Sequence, residues 1–371
     1  MKIVLLTTYY GPFLRNFYAE YNPIGFESFQ QHLNTLLSKF FGDSGCTYHH
    51  LNAAGHECFM IIANNRPLQE QWAKENSVPF TEDNWQMEIA FAQIRKISPD
   101  VFYNEGVFEY FGDFTKRILP HCKKAAAWMS TPFSPDLDLS GMSLILSSTP
   151  AFVQEFRKAR IFSEYLLPAF DVRVLSNFKE GIKKDIPFSF VGGWSHVHIQ
   201  RKQAIKRLVR DTPVQIWGYG YLNTPRYSRK SWRYYRNLIV PDNRDILARY
   251  RGEAWGLDMY GIFNRSLMTF NIHESLLQGL VGNMRMFEAT GMGTMMLNED
   301  APNLSEIFIP GKEVETYRSI DEAVEKVKYY LDHQDKALEI GRNAQMRTTR
   351  DYNYTQFVAK LADHFDKMLK R

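Results

Sequence analysis

Residues 188–220 read FSFVGGWSHVHIQRKQAIKRLVRDTPVQIWGYG, and their order decides the fold. Phe188 to Val191 is a short apolar run of strand character, stopped by Gly192-Gly193. A helix is predicted from about Ile199 to Val209, and a second strand, Val214 to Trp217, is stopped by Gly218 and Gly220. Strand, glycine turn, helix and strand over about thirty residues form the unit from which parallel α/β sheets are built.

The same alternation continues outward in both directions. Toward the C-terminus, Ser266 to Ile272 and Gly293 to Leu297 read as strands, and Ile320 to His333 and Gln334 to Arg350 as amphipathic helices. Toward the N-terminus, Lys2 to Thr7 is a buried-strand run ending at Gly11-Pro12. Phe29 to Phe41 has helical spacing, with Leu33, Leu36, Leu37 and Phe40 on one stripe and Gly42 to stop it. Glu57 to Ala63, Asp100 to Asn104, Ala125 to Met129 and Ser143 to Ser147 are further strands, with Trp85 to Lys96 a helix among them. Between the two halves lie Pro168 and a lysine-bearing segment ending at Pro187. The expected organisation is an N-terminal domain over 1–170, a linker over 171–187, a second domain over 188–350 and a terminal helix over 351–371.

Composition sets the outer limits. At about 150 residues per domain, 371 residues suit two domains. The 44% hydrophobic and 23% charged content argues against disordered, collagen-like or solenoid chains. The 45 Lys and Arg against 41 Asp and Glu leave only +4, so any anion site is local and no nucleic-acid partner is expected. Cys46, Cys58 and Cys122 are widely spaced and contain no CxxC pair, which suits a reducing cytoplasm and suggests neither a disulfide framework nor a zinc site. No apolar run approaches the ~18 to 20 residues that span a bilayer, so contact with the inner face of a membrane is expected to be peripheral at most.

Two α/β halves can hold a ligand in a cleft between them, because strand carboxyl ends and helix amino ends converge there. The richest segment is Asn283-Met284-Arg285-Met286-Phe287-Glu288-Ala289-Thr290-Gly291-Met292-Gly293-Thr294, a polar start, a helix and a glycine turn. Unpaired N–H groups at a helix start attract phosphate, and Arg285 would add a bidentate contact. Glu288 suits two ribose hydroxyls, as an ionised carboxylate accepts from both. The same two residues equally make a plain helical pair at three-residue spacing. A second cluster, Gly192 to Lys202, offers Gly193, His198 and Arg201 to a phosphate, or else an ordinary solvated helix face. Trp217 and Gly218 would frame a planar base, and His273 ends a strand near the same place; packing roles are the alternative for both. The strip Arg226 to Arg251 carries eight basic residues interleaved with Tyr227, Trp232, Tyr234 and Tyr235, suiting a polyanion or an anionic membrane surface, or a solvated face.

The segments 256–260 through 271–273, 283–293, Glu306 to Glu313 with Tyr317, Tyr329-Tyr330-Leu331 and Tyr352-Asn353-Tyr354 together resemble the CgeB-like bacterial glycosyltransferases, related to spore maturation proteins and of the GT-B type. Tyr9-Tyr10-Gly11-Pro12 and Gln69 to Ala73 extend the likeness into the N-terminal half. The resemblance implies two Rossmann-like domains facing across a cleft, with the C-terminal helix crossing back to the first. It implies a nucleoside-diphosphate sugar held mainly by the second domain, Glu288 at the ribose, and Arg285 with the Gly291 to Gly293 turn near the diphosphate. The acceptor, a cell-envelope glycan, a lipid-linked sugar or a protein, would enter from the first domain. Many retaining relatives carry two glutamates separated by seven residues, but Leu280 stands eight before Glu288 here, so stereochemistry stays open.

Fixed cationic and N–H donors can stabilise a leaving diphosphate without a metal, so no cofactor is expected, although Asp136-Leu137-Asp138 matches the form of a metal motif. An inverting transfer needs a base; Glu105, following the strand Asp100 to Asn104, is the candidate, with Glu109 and His121 as rivals. Two other functions fit the same residues: a nucleotide-sugar epimerase, and a noncatalytic nucleic-acid or surface-binding protein acting through 226–251.

Overall fold

A computed structural model describes residues 1–179, 181–194, 199–221, 241–273 and 279–371. It divides into two compact units, Met1–Pro168 with Tyr354–Arg371, and Ala169–Asn353. The last helix, Tyr354–Leu369, thus belongs to the first unit.

The first unit contains β1 (Lys2–Thr7), β2 (Glu57–Ile62), β3 (Val101–Asn104), β4 (Lys124–Trp128), β5 (Met142–Ser147) and β6 (Ser163–Tyr165), all parallel, in the order β2-β1-β3-β4-β5-β6. Ile3, Val4, Leu5 and Leu6 are fully buried, as expected of a strand covered on both faces. The second unit repeats the plan with β7 (Ile186–Val191), β8 (Gln215–Trp217), β9 (Tyr250–Gly252), β10 (Ser266–Phe270), β11 (Met295–Glu299) and β12 (Glu315–Tyr317), ordered β12-β11-β10-β7-β8-β9 and parallel. Its core joins Phe188, Phe270, Met295 and Leu297 from the strands to Ile205, Leu208, Val324 and Val327 from the helices. In each sheet the chain winds first to one side and then to the other, so the order reverses between β1 and β3 and between β7 and β10. Ligands of open α/β sheets bind at the carboxyl ends beside such reversals.

Several features differ from expectation: the stretch 171–187 expected as a linker belongs to the second unit, and two differences lie in the segment after Phe29. The helix begun at Phe29 stops at Leu37, because Phe40 takes a left-handed conformation (φ 52°) and Phe41 turns away to stack on Phe13 at 4.0 Å. The helix Ser44–Ala53 has no counterpart in the sequence reading. Among the described residues no helix is long and apolar enough to cross a membrane.

Candidate functional site

In the second unit, the carboxyl ends of β7, β10, β11 and β12 share one edge of the sheet. β7 runs into Gly192 and Gly193, and β10 into Asn271, Ile272 and His273. Three asparagines lock this edge. Asn271 Nδ2 donates to Asn298 Oδ1 at 2.7 Å and to Asn283 Oδ1 at 3.2 Å, and Asn283 Nδ2 donates back to Asn271 Oδ1 at 3.2 Å. Asn283 Oδ1 also caps the helix Met284–Gly291 by accepting the Met286 N–H. The Tyr317 hydroxyl donates to the Asn271 carbonyl at 2.9 Å. The helix amino end is thereby pinned to the strand edge, where its outward N–H groups and dipole favour an anion. Asn283 is thus both a member of this lattice and the cap of the helix.

Arg285 and Glu288 form an ion pair at 2.6 Å, with side chains 24% and 7% exposed. The guanidinium also reaches the Met259 sulfur and lies 5.3 Å from the Phe263 ring, on the neighbouring helix Leu257–Arg265. These contacts hold the arginine at the carboxylate; no contact among the described residues bears on the diphosphate role expected of Arg285. The pair is therefore enclosed by packing, unlike a solvated surface pair.

His273 is 7% exposed and committed to its own loop. Its backbone N–H donates to Glu299 Oε2 at 2.6 Å, its Nδ1 stands 3.4 Å from the same oxygen without hydrogen-bond geometry, and its Nε2 accepts the Gly282 N–H at 3.4 Å. Accepting at Nε2 leaves the ring proton on Nδ1, facing Glu299. The imidazole braces the turn ahead of Asn283.

Arg201 extends from the helix Ile199–Asp211 so that Nη1 donates to the Gly193 carbonyl at 3.3 Å. Burial raises the pKa of the Tyr221 and Tyr317 hydroxyls, and the Arg201 charge offsets part of that rise. His198 lies outside the described residues, as does the strip from Arg226 to residue 240.

The glycines answer to packing. Gly218 has φ +139°, and a Cβ there would stand 2.1 Å from the Gly192 carbonyl oxygen; one on Gly193 would meet the Tyr219 ring at 2.6 Å. Both let the loops after β7 and β8 run against each other. Trp217 is the half-buried last residue of β8, and the backbone N–H of Gly192 donates to its carbonyl. Gly291 sits under Phe170, whose ring would be 2.4 Å from an added Cβ, and Gly293 (φ +68°) turns the chain into β11. That turn leads from the helix carboxyl end to the strand amino end, so it lies at the edge of the sheet opposite Asn271 and Asn283. The diphosphate role expected of Gly291 and Gly293 therefore has no support from their position.

In the first unit, Glu105 follows β3, its backbone N–H donating to Leu6 of β1. This is the reversal point of that sheet. Its carboxyl accepts a hydrogen bond from the Ser44 hydroxyl, which also reaches Thr7 Oγ1 at 2.9 Å. Glu105 keeps a partial opening to solvent, yet its carboxyl is sunk deep enough that burial, reinforced by Asp43, raises its pKa well above the ordinary range. Burial likewise raises that of Asp43. Asp138 is tied to Lys116 at 2.7 Å, which holds its carboxyl below the usual range. His121 packs edge-on against Phe91.

The sequence reading gave no binding role to Asn271, Asn298, Glu299, Tyr317, Asp43 or Ser44. Asparagine and glutamate closing the apolar runs 266–271 and 295–299 were the signal available for three of them.

Residues 200–363 match the family model described as glycosyl transferase-like. Among curated protein sequences nothing matches the chain significantly. Solved structures with similar architecture include sucrose-phosphate synthase from Thermosynechococcus elongatus, at 11% identity, TM-score 0.59 and full coverage of both chains. Anabaena HepE in complex with UDP-glucose is 10% identical, with TM-score 0.62 over 99% of this chain and 100% of that one. A glycosyltransferase from Rickettsia africae is 9% identical, with TM-score 0.59 over 100% and 99%. The chain thus has the two-sheet GT-B fold, and its residues 200–363 carry the sequence pattern of the glycosyl transferase-like family.

Proposed function

We propose that the protein is a glycosyltransferase that moves a hexose-type sugar from a nucleoside diphosphate to a cell-envelope glycan, lipid-linked sugar or protein acceptor. The observation that carries this reading is the asparagine lattice, which fixes a helix amino end at the sheet reversal of the unit matching the family. In this reading the outward N–H groups of the 284–291 helix and the Arg201 guanidinium bind the diphosphate and stabilise it as it leaves, which needs no metal. Glu288, oriented by Arg285, accepts from the ribose hydroxyls. Support for a uridine nucleotide comes from Anabaena HepE, which holds UDP-glucose under the same fold.

Within the family we assign the chain to the CgeB-like bacterial branch, working in the cytoplasm with peripheral contact at the membrane. Should the reaction invert, Glu105 takes the acceptor proton; its raised pKa makes it a stronger base once ionised. The experiment is a set of thermal-shift titrations with UDP, GDP, TDP, CDP and an oligonucleotide, followed by donor turnover with and without acceptor. The reading expects one diphosphate to stabilise the protein selectively and turnover to depend on acceptor. Stabilisation by the oligonucleotide alone, or acceptor-independent conversion of the donor to its epimer, overturns it.

A further inference from the structure

The first unit contains a cavity of about 490 Å³ lined by Thr8, Asn64, Asp83, Asn84, Trp85, Gln86, Met87 and Glu109. Its size falls in the range of roughly 300–1,000 Å³ that accommodates small ligands. Thr8 follows β1, Asn64 follows β2 and Glu109 follows β3, so the cavity opens at the carboxyl edge of the sheet, beside its reversal. The wall is built. Asn64 grips the backbone of Tyr9 through two hydrogen bonds of 2.9 and 2.7 Å, and Glu88 holds the Thr81 backbone N–H at 2.6 Å, fixing the loop that carries Asp83 and Asn84.

The lining selects by charge. It holds two carboxylates, three amides, a hydroxyl and an indole, and no Lys, Arg or His. Among the described residues neither Asp83 nor Glu109 has an ion-pair partner. The guanidinium nearest the indole, that of Arg66 at 5.7 Å from the Trp85 ring, is already engaged by Glu70 and Glu82, each at 2.6 Å. The amino end of the helix Trp85–Ile97 contributes about half a positive charge, which two full negative charges outweigh. A phosphate placed here would meet uncompensated carboxylates. Sugar hydroxyls and ammonium groups would instead donate to them, with ring C–H faces against the indole. Asn84 makes no capping bond with its side chain and is available to a ligand.

The geometry points to this cavity as the acceptor subsite, one that takes a polyhydroxylated sugar bearing no anionic group and favours an amino sugar. The inference rests on the transferase reading and narrows it: phosphorylated sugars are excluded as acceptors at this position.

The test uses the full-length protein without donor and saturation-transfer NMR with glucose, glucosamine and glucose 6-phosphate. Glucosamine is expected to bind about tenfold more tightly than glucose through a charge-assisted bond, and glucose 6-phosphate about tenfold more weakly. In Asp83→Asn/Glu109→Gln the glucosamine advantage disappears and glucose 6-phosphate approaches glucose. Trp85→Phe, with circular dichroism as the check on folding, weakens all three. Glucose 6-phosphate matching glucose on the parent protein, an unchanged ranking in the double variant, or no binding of any sugar overturns the proposal. A separate UDP titration keeps the two readings apart: failure of nucleotide binding removes the transferase reading, whereas a reversed sugar ranking with intact nucleotide binding removes only this subsite.

Discussion

Replacing Glu288 by Gln separates the two roles the carboxylate can have. As an ionised acceptor it would make two charge-assisted bonds to ribose hydroxyls, each worth about 1.5–3 kcal/mol; the amide keeps one neutral acceptor worth about 0.5–1.5 kcal/mol. The net loss of affinity is then at least about 1.5 kcal/mol, or roughly tenfold or more in Kd. The substitution also removes the partner of Arg285. Exposed pairs contribute about 0.2–1 kcal/mol, and breaking a buried pair costs about 3–5 kcal/mol. Glu288 is nearly enclosed, but Arg285 keeps 24% exposure, so solvent screening brings the cost down to about 1–2 kcal/mol. At roughly 2–4 °C per kcal/mol for a unit of this size, the melting temperature falls by a few degrees. Calorimetric titration with UDP at a temperature where the variant is folded reads the first effect, and a thermal melt reads the second. Arg285→Met is the companion: it should lose comparable stability and only part of the affinity, because the carboxylate remains. A Kd for UDP unchanged within about twofold in Glu288→Gln, alongside the expected melting shift, refutes the ribose assignment and leaves the glutamate as a counter-ion.

Other perturbations address the frame around that pair. Asn271→Ala removes the bonds to Asn298 and Asn283 and leaves Asn298 Oδ1 and Asn283 Nδ2 without them, costing about 1–3 kcal/mol; UDP affinity should fall with the loss of the helix anchor, and unaltered affinity argues against the lattice as the aiming device. Gly291→Ala forces a methyl into the fully buried Phe170 ring and should destabilise by about 1–3 kcal/mol, while UDP affinity per folded molecule stays at the parent value; selective loss of affinity would return Gly291 to the donor site. Glu105→Gln tests a raised pKa. The stability linked to that carboxyl is fully present below the ordinary carboxylate range and is lost as pH rises through the raised folded value, so the variant's melting advantage should grow as pH rises above about 4. A constant difference across that range contradicts the burial argument, and normal transfer by the variant eliminates Glu105 as base.

Strand identity could be read from residue type because each of these strands is covered on both faces. Phe188 to Val191 and Val214 to Trp217 lie within a residue of the ends of β7 and β8, apart from the start of β7 two residues earlier. The helix Ser44–Ala53 escaped notice because its sequence, SGCTYHHLNA, offers no apolar stripe: two of its buried side chains are Ser44 and Thr47. With it went Ser44 as the partner of Glu105. The asparagine lattice was invisible for another reason, since Asn271, Asn283 and Asn298 meet only after β10 and β11 pair in register. Spacing drew attention to Arg285 and Glu288 as a helical pair, but it could not show that Met259 and Phe263 enclose the arginine. The glycines illustrate the reverse error: their backbone requirement was legible, whereas its cause, a ring or a second backbone pressed against the missing Cβ, is a property of tertiary packing.

The most direct measurement follows methionine methyl resonances of the full-length protein during titration with UDP-glucose. Met284 opens the 284–291 helix and Met259 touches Arg285, whereas Met60 and Met142 are buried in the first unit. The account predicts saturable shifts at Met284 and Met259 with Met60 and Met142 unmoved. Saturation without any response at Met284 would contradict it.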